Sequence, residues 1–248
     1  MTRLHGWFAI LLVVLAGCGG GGGSECDAPR TPTPLDRAST GTITGTVTLG
    51  GAPPPTAPLR MTAECAAQHR GPVPAGDVLV HDGRVENAYV YIKDGLGERV
   101  FAVPAEPVVI DQVGCVYRPH VAAAQACQPI TFKNSDSFLH NVHGTPTVSS
   151  QWNFSMGVQG STRSVRIPKP EIPVEVRCDV HPWMRAYVAV SAHPYFAVTG
   201  ADGRFVLRDV PPGDYLVASW HERFGTRETR VTLAAHDTKD LAFAYAAP

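Results

Sequence analysis

From Thr40 to Tyr245 the chain lacks the 3.6-residue spacing of an apolar helix face and runs instead in short segments that alternate apolar with polar residues. Gly41-Thr-Ile-Thr-Gly-Thr-Val-Thr-Leu49 is the clearest of them. A period of two places Ile43, Val47 and Leu49 on one side of an extended segment. Val174–Cys178 alternates in the same way, and Glu86–Asp94, Ile130–Asn134, the apolar run Ala186–Val190, Leu216–Trp220, Thr229–Leu233 and Asp240–Tyr245 also read as strands. With 24 glycines and 22 prolines to supply turns, the pattern predicts an all-β protein.

The first residues have the form of an export signal. Arg3 supplies the positive start, and Trp7 to Ala16 is an apolar core too short to span a bilayer as a helix. Leu15-Ala16-Gly17-Cys18 resembles a bacterial lipoprotein box, which implies removal of residues 1–17 and a lipid on Cys18. The plainer alternative is a secretory signal with a stray cysteine. Gly19 after the lipidated residue implies, by the sorting pattern of such lipoproteins, the periplasmic face of an outer membrane. Residues 18–39, rich in Gly, Pro and Thr, are expected to be a tether with a reach of about 25 Å. A formal net charge of −1 and the absence of a Lys/Arg stripe exclude a nucleic-acid partner.

One seven-residue stretch carries the chemistry. Cys178-Asp-Val-His181-Pro-Trp-Met184 offers a thiolate, an imidazole and a thioether, and His140 lies upstream at the end of a predicted strand and turn. Two His and one Cys with a weak axial Met are the ligands of an electron-transfer copper site. Val174, Val176 and Cys178 share the inward face of a strand, so Cys178 ends that strand and the next turn supplies His181 and Met184. Each residue has a duller reading: a paired thiol, surface histidines, a methionine filling the core. Their combined order favours the metal, with His143 the nearest competitor of His140. Four protein ligands leave no open position for a substrate, and no histidine flanks Cys178 to wire it to a second cluster. The expectation is one type 1 copper, no catalysis, and electron exchange with a redox protein such as a cytochrome c or a dehydrogenase.

Residues 134–143 (Asn-Ser-Asp-Ser-Phe-Leu-His-Asn-Val-His) and 178–185 resemble the two halves of a cupredoxin site, and the Cys-x-x-His-Pro-aromatic-Met-Arg loop is similar to that of amicyanins. Val109–Val121, with its Tyr117-x-Pro119 element, resembles the opening strands of the same fold. The resemblance covers about residues 106–192. It implies a Greek-key β-sandwich holding copper through His140, Cys178, His181 and Met184, with Asn141 tying the two ligand loops together. It also implies that His181 is the exposed edge for electrons and that Pro182 and Trp183 form a docking patch, unless Trp183 simply plugs the sandwich end.

Export places the chain where thiols pair. With Cys18 lipidated and Cys178 on the metal, Cys26, Cys65, Cys115 and Cys127 remain, and four cysteines allow three pairings. Cys65–Cys115 is favoured, and Cys115–Cys127 is the alternative staple. Asp202-Gly203-Arg204-Phe205 with Pro211-Pro212-Gly213-Asp214-Tyr215 resembles the carboxypeptidase regulatory-like, transthyretin-like β-sandwich, and Gly203 and Gly213 suit turns of positive φ. Residues 193–248 are too few for such a sandwich. The expectation is therefore that residues 40–100 supply its opening strands, that residues 101–192 form the cupredoxin inserted into it, and that 193–248 complete it. His221-Glu222 reads as a solvated strand end. Two rival functions stay open at this level: a copper-handling protein of the envelope, weakened by only four methionines, and a metal-free sandwich for adhesion or carbohydrate binding.

Overall fold

The computed structural model describes residues 25–247. The signal segment and Cys18 lie outside the described residues. Among the described residues the fold is all-β, with one short helix, Ala63–Ala66, and one 3-10 turn, Arg37–Ser39. Among the described residues no helix is long and apolar enough to cross a membrane.

Two hydrophobic cores form, each between two sheets. One sheet of the first pair runs Arg204–Val210, Gly41–Gly50, Arg84–Val85, Val80–His81, with Thr238–Ala246 also paired to Gly41–Gly50. Its companion runs Phe196–Val198, Tyr89–Asp94, Gly213–His221, Gly225–Leu233. The strand Gly41–Gly50 pairs antiparallel with Arg204–Val210 and parallel with Thr238–Ala246. The alternation seen in the sequence explains why. Ile43, Val47 and Leu49 enter a core with Phe205, Leu207, Val217, Phe243 and Tyr245, while the intervening threonines lie half-buried. Gly45 is required by close approach: a Cβ there would lie 2.0 Å from the Leu241 carbonyl and 2.6 Å from the Phe205 ring.

The second pair is built entirely from residues 108–191. One sheet runs Trp152–Met156, His140–Gly144, Glu171–Arg177, Arg185–Ser191, Val121–Gln125. The other runs Thr162–Val165, Ile130–Asn134, Val108–Gln112, Tyr117–Arg118. Ile110, Ile130 and Phe132 of one sheet pack against Val142, Val174, Val176 and Val188 of the other. The two bodies meet at a polar seam. His193 Nε2 lies 2.8 Å from the Ile92 carbonyl, His120 pairs with Glu222, and the Tyr187 and Trp220 rings meet edge to face at 5.5 Å.

Several expectations are corrected. Residues 26–39 are not a free tether. Cys26 is bonded to Cys127, Thr33 N–H donates to the Val100 carbonyl (2.8 Å), and Asp36 Oδ1 accepts from Ala38 N–H (3.1 Å). The sequence separation of 101 residues makes that bond invisible to local reading. Cys65 pairs with Cys115, so the Cys115–Cys127 staple does not form. Gly203 has φ 64°, but Gly213 is not in the positive-φ region. Gly213 is favoured by the Tyr215 hydroxyl, which stands 3.0 Å from where a Cβ would be and donates to the Pro211 carbonyl (2.6 Å). His221 is not solvated: it is 1% exposed and stacks on Phe224 at 4.6 Å.

Two outcomes are expected from this packing. Gly45→Ala should lower stability by about 2–3 kcal/mol in a denaturant titration, because a backbone carbonyl and an aromatic ring must both give way. Burial also pulls the His221 pKa down to about 4 from 6.5. The unfolded chain then binds the extra proton first, so stability is full above pH 6.5 and falls as pH drops toward 4, by up to about 3 kcal/mol. His221→Gln should reduce that slope in denaturation measured between about pH 7 and about pH 4.

Candidate metal centre

The strand Glu171–Arg177 carries Val174 and Val176 into the core and ends at Cys178, which is 2% exposed. The chain then turns, with Met184 N–H donating to the His181 carbonyl (2.8 Å) and Cys178 N–H to the Met184 carbonyl (3.2 Å). That turn directs Cys178, His181 and Met184 to one end of the sandwich. The second loop, Ser135 to Leu139, leads into the strand His140–Gly144 and delivers His140, which is fully buried.

Cys178 Sγ and ring nitrogens of His140 and His181 all lie within 4.8 Å of one another. His140 Nδ1 is 3.0 Å from His181 Nδ1, and His181 Nδ1 is 3.8 Å from Cys178 Sγ. Three ligands around one ion, with bonds of about 2.0–2.1 Å to nitrogen and about 2.3 Å to sulfur, would be separated by about 3.5–3.8 Å. The donor set fits one small, soft-tolerant ion. Met184 is buried in the same core at 1% exposure.

The electrostatics suit a cation. Burial, and then the neighbouring His140 ring, hold the His181 pKa below its ordinary value, so the ring is neutral and its lone pair is available. Cys178 is the free cysteine among the described residues, while Cys26, Cys65, Cys115 and Cys127 are consumed in disulfides. Its sulfur accepts from Asn141 N–H (3.3 Å) and His181 N–H (3.4 Å).

Asn141 links the loops: its Oδ1 accepts from Asp179 N–H (3.1 Å), and its Nδ2 donates to the Phe154 carbonyl (3.4 Å) and to Asn153 Oδ1. Tyr117, noted in the sequence only as part of an aromatic-x-Pro element, does similar work. Its hydroxyl donates to the Asn141 carbonyl (2.6 Å) and lies 3.2 Å from the Arg177 carbonyl. His143 faces away from the cluster and meets Asp179 at 3.0 Å.

The expected docking surface is rearranged. His181 is buried at 9% exposure rather than standing at an open edge. Trp183 tilts over it at 5.0 Å, packs on the core and donates from Nε1 to the Cys115 carbonyl (3.0 Å). The Cys65–Cys115 sulfurs also lie within 4.8 Å of a His181 nitrogen, so the segment around Cys65 covers this end. Pro182 is exposed. The large apolar residues exposed next to ligand positions in the sequence are Leu139 (51%) and Val180 (47%).

No family model matches the chain, and no curated protein matches it. Among solved structures, part of the chain is similar to cupredoxins. A single-residue mutant of amicyanin in its Cu(I) form is 22% identical over 43% of this chain and 100% of that one, with a TM-score of 0.32. A purple cupredoxin from Nitrosopumilus maritimus is 20% identical over 34% of this chain and 99% of that one, TM-score 0.30. A copper-containing nitrite reductase from Thermus scotoductus SA-01 is 22% identical over 38% of this chain, TM-score 0.30, and the match spans only 24% of the reductase.

The loop-tying role of Tyr117 can be checked directly. Tyr117→Phe leaves the buried Asn141 carbonyl without that hydroxyl donor and should cost about 1–3 kcal/mol by denaturant titration.

Proposed function

We propose that the chain is a type 1 copper electron-transfer protein, with one ion held by His140, Cys178, His181 and Met184. The observation that carries this reading is a buried, unpaired thiol converging with two imidazole nitrogens in a protein whose other described cysteines are all bonded. The ion would supply a one-electron couple. The protein's part is to hold the donors in a dry, packed frame so that little moves when charge changes. With Met184 as a fourth ligand the buried site would keep no open coordination position, which supports electron exchange over catalysis.

The wider setting belongs to the same proposal. The lipoprotein box at Cys18 supports anchoring in a bacterial envelope, and a cytochrome c or a dehydrogenase fits as the exchange partner. Leu139, Pro182 and Val180 offer the small apolar surface that a transient redox encounter needs. The pairing of Gly41–Gly50 with Arg204–Val210 and Thr238–Ala246 supports a transthyretin-like sandwich interrupted by a cupredoxin.

Purified protein given Cu(II) should bind one equivalent, turn intensely blue and show narrow copper hyperfine splitting in electron paramagnetic resonance. Cys178→Ser should abolish the colour. Met184→Gln should keep it and lower the reduction potential, since the axial ligand tunes that quantity. A colourless protein that takes no stoichiometric copper would contradict the reading, and rapid loss of the ion to a weak chelator would point to copper handling instead.

A further inference from the structure

Behind His140 sits a buried carboxylate that the ligand set does not use. Asp136 precedes His140 by four residues, is 5% exposed, and its Oδ2 lies 2.9 Å from His140 Nε2. The same carboxylate accepts Gly114 N–H on Oδ1 (2.7 Å) and Cys115 N–H on Oδ2 (2.8 Å). Its own amide donates to Asn134 Oδ1 (3.0 Å). Among the described residues no lysine or arginine reaches ion-pair distance of it. Two backbone dipoles and one imidazole N–H therefore carry its solvation.

The amide pair is itself fixed. Gly114 and Cys115 both have positive φ, 66° and 54°, which turns their N–H groups toward the same side. Cys115 is tethered to Cys65, its carbonyl accepts from Trp183 Nε1 (3.0 Å), and the Gly114 carbonyl lies 2.7 Å from His69 Nε2. The disulfide, the turn, the carboxylate and the ring form one continuous chain of contacts that ends on a ligand.

We propose that Asp136 is a positioning residue which holds His140 as the Nε2–H tautomer, aims Nδ1 at the ion and, by its negative charge, favours the oxidised state. Both oxygens of the Asp136 carboxyl already accept backbone N–H groups, so toward the ring it acts as acceptor, Nε2 is the donor, and Nδ1, 3.0 Å from His181 Nδ1, is the nitrogen that faces the cluster. A ring that donates its other proton to a carboxylate is also a more basic ligand. The more highly charged Cu(II) gains more from that than Cu(I), so the carboxylate lowers the reduction potential. The role toward copper rests on the reading above, but the tautomer does not.

Nitrogen-15 NMR of the metal-free full chain, labelled at histidine, separates the two. His140 should show a slowly exchanging proton on Nε2 and an unprotonated Nδ1, and Asp136→Leu should lose that signature. A proton on His140 Nδ1 in the metal-free chain would overturn the proposal whatever copper does. In the copper-loaded chain, Asp136→Asn keeps an acceptor oxygen but removes the charge. It should weaken Cu(II) about tenfold more than Cu(I), which raises the one-electron potential by about 59 mV. Asp136→Leu should lower copper affinity about 10–100-fold. An unchanged potential in a folded Asp136→Asn variant would overturn the electrostatic role. The Nε2–H tautomer in a chain that takes no copper would overturn the copper reading, and with it any action of Asp136 on an ion.

Discussion

Burial of one sulfur sets the terms for the rest of this site. Cys178 sits at the end of a core strand, buried and outside both disulfides, and a polar sulfur there needs partners. Two amide N–H groups meet it from the loops, and two imidazole nitrogens converge on the open side. Asn141, Tyr117 and the turn at Met184 hold those loops at fixed spacing. The sandwich below supplies stiffness, because Val174, Val176, Val188 and Phe132 leave the strand ends nowhere to move.

The disulfides extend that stiffness outward. Cys65–Cys115 pins the segment around the short helix across the end of the sandwich that carries His181, and fixes the turn whose amides meet Asp136. Cys26–Cys127 fastens the N-terminal stretch of the described chain to the far side of the same sandwich. The site is therefore more enclosed than the ligand loop alone suggests. Its accessible apolar edge lies at Leu139, Val180 and Pro182 rather than at the Trp183 ring.

Much of this was legible in the sequence. Period-two alternation announced the strands, because half-buried sheets impose it on every residue of Gly41–Leu49 and Val174–Cys178. The convergence of His140, Cys178 and His181 was legible because a cysteine, a histidine and a methionine fall within seven residues at the end of a predicted strand. What stayed hidden depends on distant partners. Nothing local distinguishes Asp136 from a solvated turn aspartate, since its donors come from Gly114 and Cys115. His221 looked exposed until Phe224 folded over it, and residues 26–39 looked free until Cys26 found Cys127. The openness of His181 was inferred by resemblance, and the covering segment from the first part of the chain reverses it.

The central claim is that a single thiolate and two ring nitrogens surround one copper ion. X-ray absorption at the copper edge of the loaded full-length chain reads that shell atom by atom. The account predicts one short copper–sulfur path and two copper–nitrogen paths in both oxidation states, with distances nearly unchanged between them. A shell of nitrogen and oxygen alone, or one that rearranges on reduction, would contradict it.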